Sequence, residues 1–158
     1  MKKQKGFSLI ELLIVVAIIL IIAAIAIPNL LRSRIAANEA SAAGSVRTIV
    51  TAETAYFSTY GAGYGTLAQL GGATPCTSAA ATACLIDSVL SLGTKSGYVI
   101  STPQATLTAF AAAAVAQTPQ VSGVSTFCSD ETGVIRKNPA SVGAPATDAA
   151  CQALPAMQ

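Results

Sequence analysis

No histidine and no tryptophan occur among the 158 residues. The commonest general base and metal ligand is therefore missing, and no Ser-His-Asp or Cys-His nucleophile set exists. Charge is sparse: 10% of residues are charged and the formal net charge is +2. Three of the nine basic residues (Lys2, Lys3, Lys5) fall within the first five positions. Six basic residues remain beyond them (Arg32, Arg34, Arg47, Lys95, Arg136, Lys137) against seven acids. That near-neutral remainder has no basic patch, which argues against nucleic-acid binding. Aromatics make up 5%, and much of the 53% hydrophobic content is alanine, so the soluble core is small. The length suits one modest domain on a stem.

The stem is the most informative stretch. Leu12–Ile27 is a run of sixteen residues with no polar side chain, and Glu11 sits just inside the apolar segment. A carboxylate there is costly in lipid and asks for a partner. Residues 7–27 as a helix span roughly 30 Å, the thickness of a bilayer core. A secretory signal would place its small-residue cleavage site after the apolar run. Here Ile27-Pro28-Asn29 follows the run, and the small residue, Gly6, precedes it. Cleavage is expected between Gly6 and Phe7, which keeps the run in the mature chain and removes residues 1–6 as a leader. The lysines predict that the leader stays cytoplasmic.

Pro28 removes one backbone hydrogen bond and is expected to kink or locally melt the helix. Helical character nevertheless resumes. Val46, Ile49, Val50, Glu53, Tyr56, Phe57 and Tyr60 follow helix periodicity, with Glu53 the one member that is not apolar. The three glycines at 61, 63 and 65 should end the helix. The spacing predicts a helix over 7–60, transmembrane or filament-core over 7–27 and amphipathic over 28–60. Residues 61–95 read as a connecting loop with a short helix. Residues 96–137 carry strand signals: 98–102 ending at Pro103, 106–115, 124–128, a turn at Ser129–Gly133, and 134–137. Residues 138–158, with three prolines, read as a coil tail.

Cysteines stand at 76, 84, 128 and 151, separated by 7, 43 and 22 residues. These spacings match no zinc pattern, and an even count on the translocated side favours disulfides. Of the three possible pairings, Cys76–Cys84 with Cys128–Cys151 needs least backbone travel. Asp130, Glu131 and Asp148 read as solvated turn acids, since calcium needs a denser set of oxygens. The glycines at 61, 63 and 65 lack the Lys-Ser/Thr of a phosphate loop. No enzyme, cofactor or metal is expected.

Lys5-Gly6 followed by Phe7-Ser8-Leu9-Ile10-Glu11-Leu12-Leu13 resembles the class III signal of type IV pilins and type II secretion pseudopilins. Pro28 matches the helix-breaking proline of that family. The resemblance is strong over residues 3–35 and a matter of layout beyond. It implies an α+β lollipop: a long N-terminal helix with a small three- to four-stranded antiparallel sheet packed on its C-terminal half. It implies that a prepilin peptidase cuts after Gly6 and N-methylates Phe7. It places the Glu11 carboxylate near the N-terminal ammonium of a neighbouring subunit, so that Glu11 and Pro28 serve assembly. The Cys128–Cys151 pairing resembles the family's C-terminal disulfide loop. The expected partners are further copies of the chain in a homopolymeric filament, the peptidase, an inner-membrane assembly platform and, before assembly, the bilayer. The expected location is the inner membrane as precursor and then an extracellular pilus. A pseudopilin of type II secretion is the alternative. A monomeric membrane-tethered binding domain would explain the apolar run but not the leader or Glu11.

Overall fold

The computed structural model describes residues 7–72, 75–141 and 143–157. The fold is α+β, in the order α1 (Leu9–Tyr60), α2 (Leu67–Leu70), α3 (Ser88–Ser91), β1 (Thr94–Lys95), β2 (Tyr98–Ala105), β3 (Phe110–Ala116), β4 (Thr126–Asp130), β5 (Arg136–Asn138) and α4 (Asp148–Gln152). The chain forms two compact units, residues 1–34 and 35–158.

In the first unit the described residues are helical from Leu9 onward, and the helix runs through Pro28 without interruption. Proline's missing N–H leaves the carbonyl of Ala24 without its usual donor, but the ring's fixed φ is compatible with a helix. The large apolar side chains of this unit are exposed, from Phe7 to Leu31.

The second unit is built on the remainder of α1. Its buried face is Ala42, Val46, Ile49, Glu53 and Tyr56, at alternating steps of four and three. Gly61, at φ +63°, ends the helix in the left-handed conformation that glycine adopts without a Cβ penalty. The five strands form one antiparallel meander in the order β1-β2-β3-β4-β5. That is one strand more than the sequence predicts. The addition, β1, is two residues long, too short to carry an alternating pattern. Pro103 does not end β2. It falls where the β2–β3 register shifts, between Ser101 and Gln104, and β1 pairs only with Tyr98 and Val99. No ladder bond is therefore asked of the missing N–H.

β3 (Phe-Ala-Ala-Ala-Ala-Val-Ala) is buried on both faces. Phe110, Ala112, Ala114 and Ala116 join Tyr98, Ile100 and Phe127 against the helix. Ala113 faces the other way and packs with Cys128, Cys151 and Leu154. Small side chains let cover from both sides approach the sheet closely. At Gly123 an added Cβ would lie 1.9 Å from the Tyr98 hydroxyl, so this close approach admits no side chain.

The connection after α1 is tied down by local chemistry. Thr66 and Gln69 form a capping box on α2, and the Asp87 side chain caps α3 at the N–H of Leu90. Leu70, Ile86 and Leu90 enter the core. The tail carries α4, capped by Thr147, and its end bridges β5 at Arg136 and Ala156.

Candidate functional site

The residues singled out at the N-terminus lie on the first unit. Gly6 falls outside the described residues; Phe7 is exposed. α1 begins at Leu9, so Ser8 is the residue before the first helical turn and Glu11 is its third position. The Ser8 N–H donates to Glu11 Oε2 at 2.9 Å. This is one half of a capping box: an acid in the first turn satisfying an orphan N–H and complementing the positive end of the helix. The carboxylate is thus turned back toward Phe7.

Behind Glu11 the helix is long and apolar enough to cross a membrane. Leu, Ile and Val side chains from Leu9 to Leu31 are all largely exposed. Each such side chain gains about 1.5–3 kcal/mol on leaving water. The surface therefore requires lipid or protein cover. Pro28 lies inside it.

The second unit holds acids whose roles were not legible. Glu39 Oε1 accepts the N–H groups of Val124 and Ser125 at 3.1 and 3.0 Å, and Oε2 meets Lys137 Nζ at 3.3 Å. Burial works against its charge, but these donors outweigh burial and hold the carboxyl below its ordinary value. Lys137 also lies 5.6 Å from the centre of the Phe127 ring. Glu39 is thereby a clamp between helix and sheet. Its partners lie 85 and 86 residues away in sequence, and no local pattern points to them.

Glu53 is fully buried. Its Oε2 accepts the Gly65 N–H at 2.8 Å, and its Oε1 has no partner among the described residues. Burial pushes its carboxyl up to about 7. Asp130, expected as a solvated turn acid, is instead fully buried. Its Oδ1 accepts the N–H of Thr132 at 2.9 Å and the Thr132 hydroxyl, which makes it the lock of the β4–β5 turn. Among the described residues no three acids or cysteines gather as a metal site. The cysteines are bonded as Cys76–Cys84 and Cys128–Cys151, with Cα atoms 6.1 and 6.0 Å apart. The first ties the loop after α2; the second fastens α4 to β4.

These contacts hold the second unit together: Glu39 joins helix to sheet and Asp130 locks a turn. Residues 1–27 match the family described as the prokaryotic N-terminal methylation motif. The type IV major pilin protein PilA of Myxococcus xanthus is 45% identical over 56 residues, covering 35% of this chain and 26% of that protein. The type IV wide pilus major component PilA4 of Thermus thermophilus is 64% identical over 39 residues, covering 25% of this chain and 30% of that protein. The chain thus matches about a quarter to a third of the length of these relatives. Over that segment it carries the methylation motif and is homologous to type IV major pilins.

Proposed function

We propose, on the homology of the N-terminal segment to type IV major pilins, that the chain is the structural subunit of a bacterial type IV pilus and polymerises through its apolar helix. The observation that carries this is the exposed apolar surface from Phe7 to Leu31, interrupted by one carboxylate, Glu11, and overlapping the methylation motif. A tethered binding domain needs the apolar length but gives Glu11 no task. The two relatives are described as pilus components, which favours a pilus over a secretion pseudopilus.

In this reading a prepilin peptidase cuts between Gly6 and Phe7 and methylates the new Phe7 amine. Residues 7–27 hold the subunit in the inner membrane until the assembly platform moves it into the filament. Lipid and neighbouring helices are about equally apolar, so that exchange gains little hydrophobic energy. Register then depends on polar groups. The Glu11 carboxylate, already facing the start of the helix, pairs with the Phe7 ammonium of a neighbouring subunit. A subunit at the wrong height leaves both charges unpaired in an apolar setting. Pro28 supplies a backbone position short of one hydrogen bond, where the helix extends at least cost.

The test is electron microscopy of the fraction sheared from the cell surface. Long filaments that disappear when this chain is deleted support the proposal. A chain found only in the membrane fraction, with no filaments, refutes it.

A further inference from the structure

A second apolar surface lies on the other compact unit. The Phe57 ring, 43% exposed, stacks on Tyr64 with centroids 5.1 Å apart. Tyr64 N–H donates to the Thr106 carbonyl at 2.9 Å, and the backbone of Leu107 abuts Gly63 closely enough to exclude a Cβ there. The Leu107 side chain is therefore set beside this pair, and it is 71% exposed. Tyr64 also meets the Phe110 ring with centroids 4.7 Å apart, and Glu131 follows Asp130, which pairs with Ala111 next to Phe110. Glu131 also accepts from Gln152 on α4, one helical turn from Asp148. The result is an aromatic and aliphatic patch with acids along its rim.

Charge accounting singles out those acids. Glu39 and Asp87 are ion-paired, Glu53 and Asp130 are buried, and Glu11 is turned onto the Ser8 N–H. Of the seven acids in the chain, Glu131, which is exposed, and Asp148, which is half-buried, alone are left without a cation, a backbone donor or full burial among the described residues. The first unit has the complement. Leu30 and Leu31 are 71% and 51% exposed. Arg34 lies four and three residues further on, so the three share one helix face. Arg34 is exposed and has no hydrogen bond or ion pair among the described residues.

We propose that in the filament the Phe57–Tyr64–Leu107 patch receives residues 30–34 of a second copy of the chain, with Leu30 and Leu31 on the rings and Arg34 against Glu131 and Asp148. The inference rests on the filament reading above. A patch on one unit meeting a different surface on the next copy is a head-to-tail contact, which propagates as an open helical filament wherever its rotation does not close a ring. The apolar part excludes water, and the ion pairs fix which height along the neighbouring helix is accepted.

The test uses whole cells expressing the full chain. Arg34→Lys keeps the charge and supplies an amine that a water-soluble carbodiimide couples to an adjacent carboxylate. Sheared filaments of this variant should give a cross-linked dimer whose joined peptides contain position 34 and Glu131 or Asp148, lost in Glu131→Gln/Asp148→Asn. In parallel, Arg34→Glu should lower filament yield by roughly tenfold or more, and adding Glu131→Arg/Asp148→Arg should restore it. Three results overturn the contact: normal filaments from Arg34→Glu alone, no recovery in the combined variant, or a linked peptide from another protein. Absence of filaments from the wild-type chain overturns the filament reading as well, and so separates the two failures.

Discussion

Glu53 Oε2 accepts the Gly65 N–H at 2.8 Å in a site fully closed to water. One carboxylate thus fastens the turn after α1 to the helix that precedes it. It does so without a cation, and its other oxygen is unpartnered among the described residues. Burial raises its carboxyl from 4.5 to about 7. The folded form therefore binds a proton more tightly than the unfolded chain. Its contribution is fully present below pH about 4.5 and is lost as pH rises to about 7. At pH 8 the ionised acid costs on the order of 3 kcal/mol relative to acid conditions. Glu53→Gln keeps the acceptor for Gly65 and removes the charge. It should melt higher than wild type at pH 8 and show no loss between pH 5 and 8. Thermal melts of the detergent-solubilised chain across that range check this; equal pH slopes for both proteins would contradict it.

Glu39 runs in the opposite sense. Its carboxyl is held below its ordinary value by Val124, Ser125 and Lys137, which outweigh burial. Its stabilisation is present above the unfolded value of 4.5 and fades as pH falls through the lower folded value. Glu39→Ala leaves two backbone N–H groups without their acceptor and should cost about 1–3 kcal/mol. Lys137→Ala should cost less, since the lysine is more exposed than its partner and screened by solvent. Denaturant melts of the two variants at pH 7 rank them; a larger loss for Lys137→Ala would overturn the clamp.

Much of this architecture was visible in residue pattern, and the exceptions share a cause. The helix end at Tyr60 was legible because Gly61 needs a positive φ there. β2 and β4 were legible from their β-branched and aromatic residues, whereas β5 begins only after the Val134-Ile135 pair that pointed to it. The partners of Glu39 were not, because they lie across the fold. Asp130 looked solvated from its neighbours Glu131, Thr132 and Gly133, yet α4 and the tail cover the outer face of the sheet. The signal for α4 was present in Thr147-Asp148, a cap followed by a first-turn acid, but the prolines around it masked it. β3 offered an alanine run with no alternation, since both of its faces are buried.

The Cys128–Cys151 bridge fastens α4 to the buried strand β4. Cys151→Ser should release residues 139–157 to protease and cost about 2–5 kcal/mol. Cys76→Ser should leave the tail protected, because its bridge closes a different loop. Limited proteolysis followed by peptide mass mapping separates the two; an equally resistant tail in Cys151→Ser would count against this role.

The register role proposed for Glu11 is separable from folding, since its contact with Ser8 lies in the first unit. Glu11→Ala removes the partner proposed for the Phe7 ammonium, while Gly6 and Phe7 remain in place. Cleavage and methylation should proceed, and the processed chain should accumulate in the membrane with few or no filaments. Glu11→Asp, with a shorter reach, should assemble to an intermediate level. Immunoblots of sheared and membrane fractions read this directly; normal filament yield from Glu11→Ala would remove the register role.

In the proposed function the chain is processed at its N-terminus and then built into a filament through the exposed apolar helix. The most direct measurement is the mass of the N-terminal peptide recovered from fibres sheared off the cell and seen by electron microscopy. The account predicts fibres made mainly of this chain, beginning at Phe7 with one methyl group on the amine. A chain that still begins at Met1, confined to the membrane with no fibres, would contradict it.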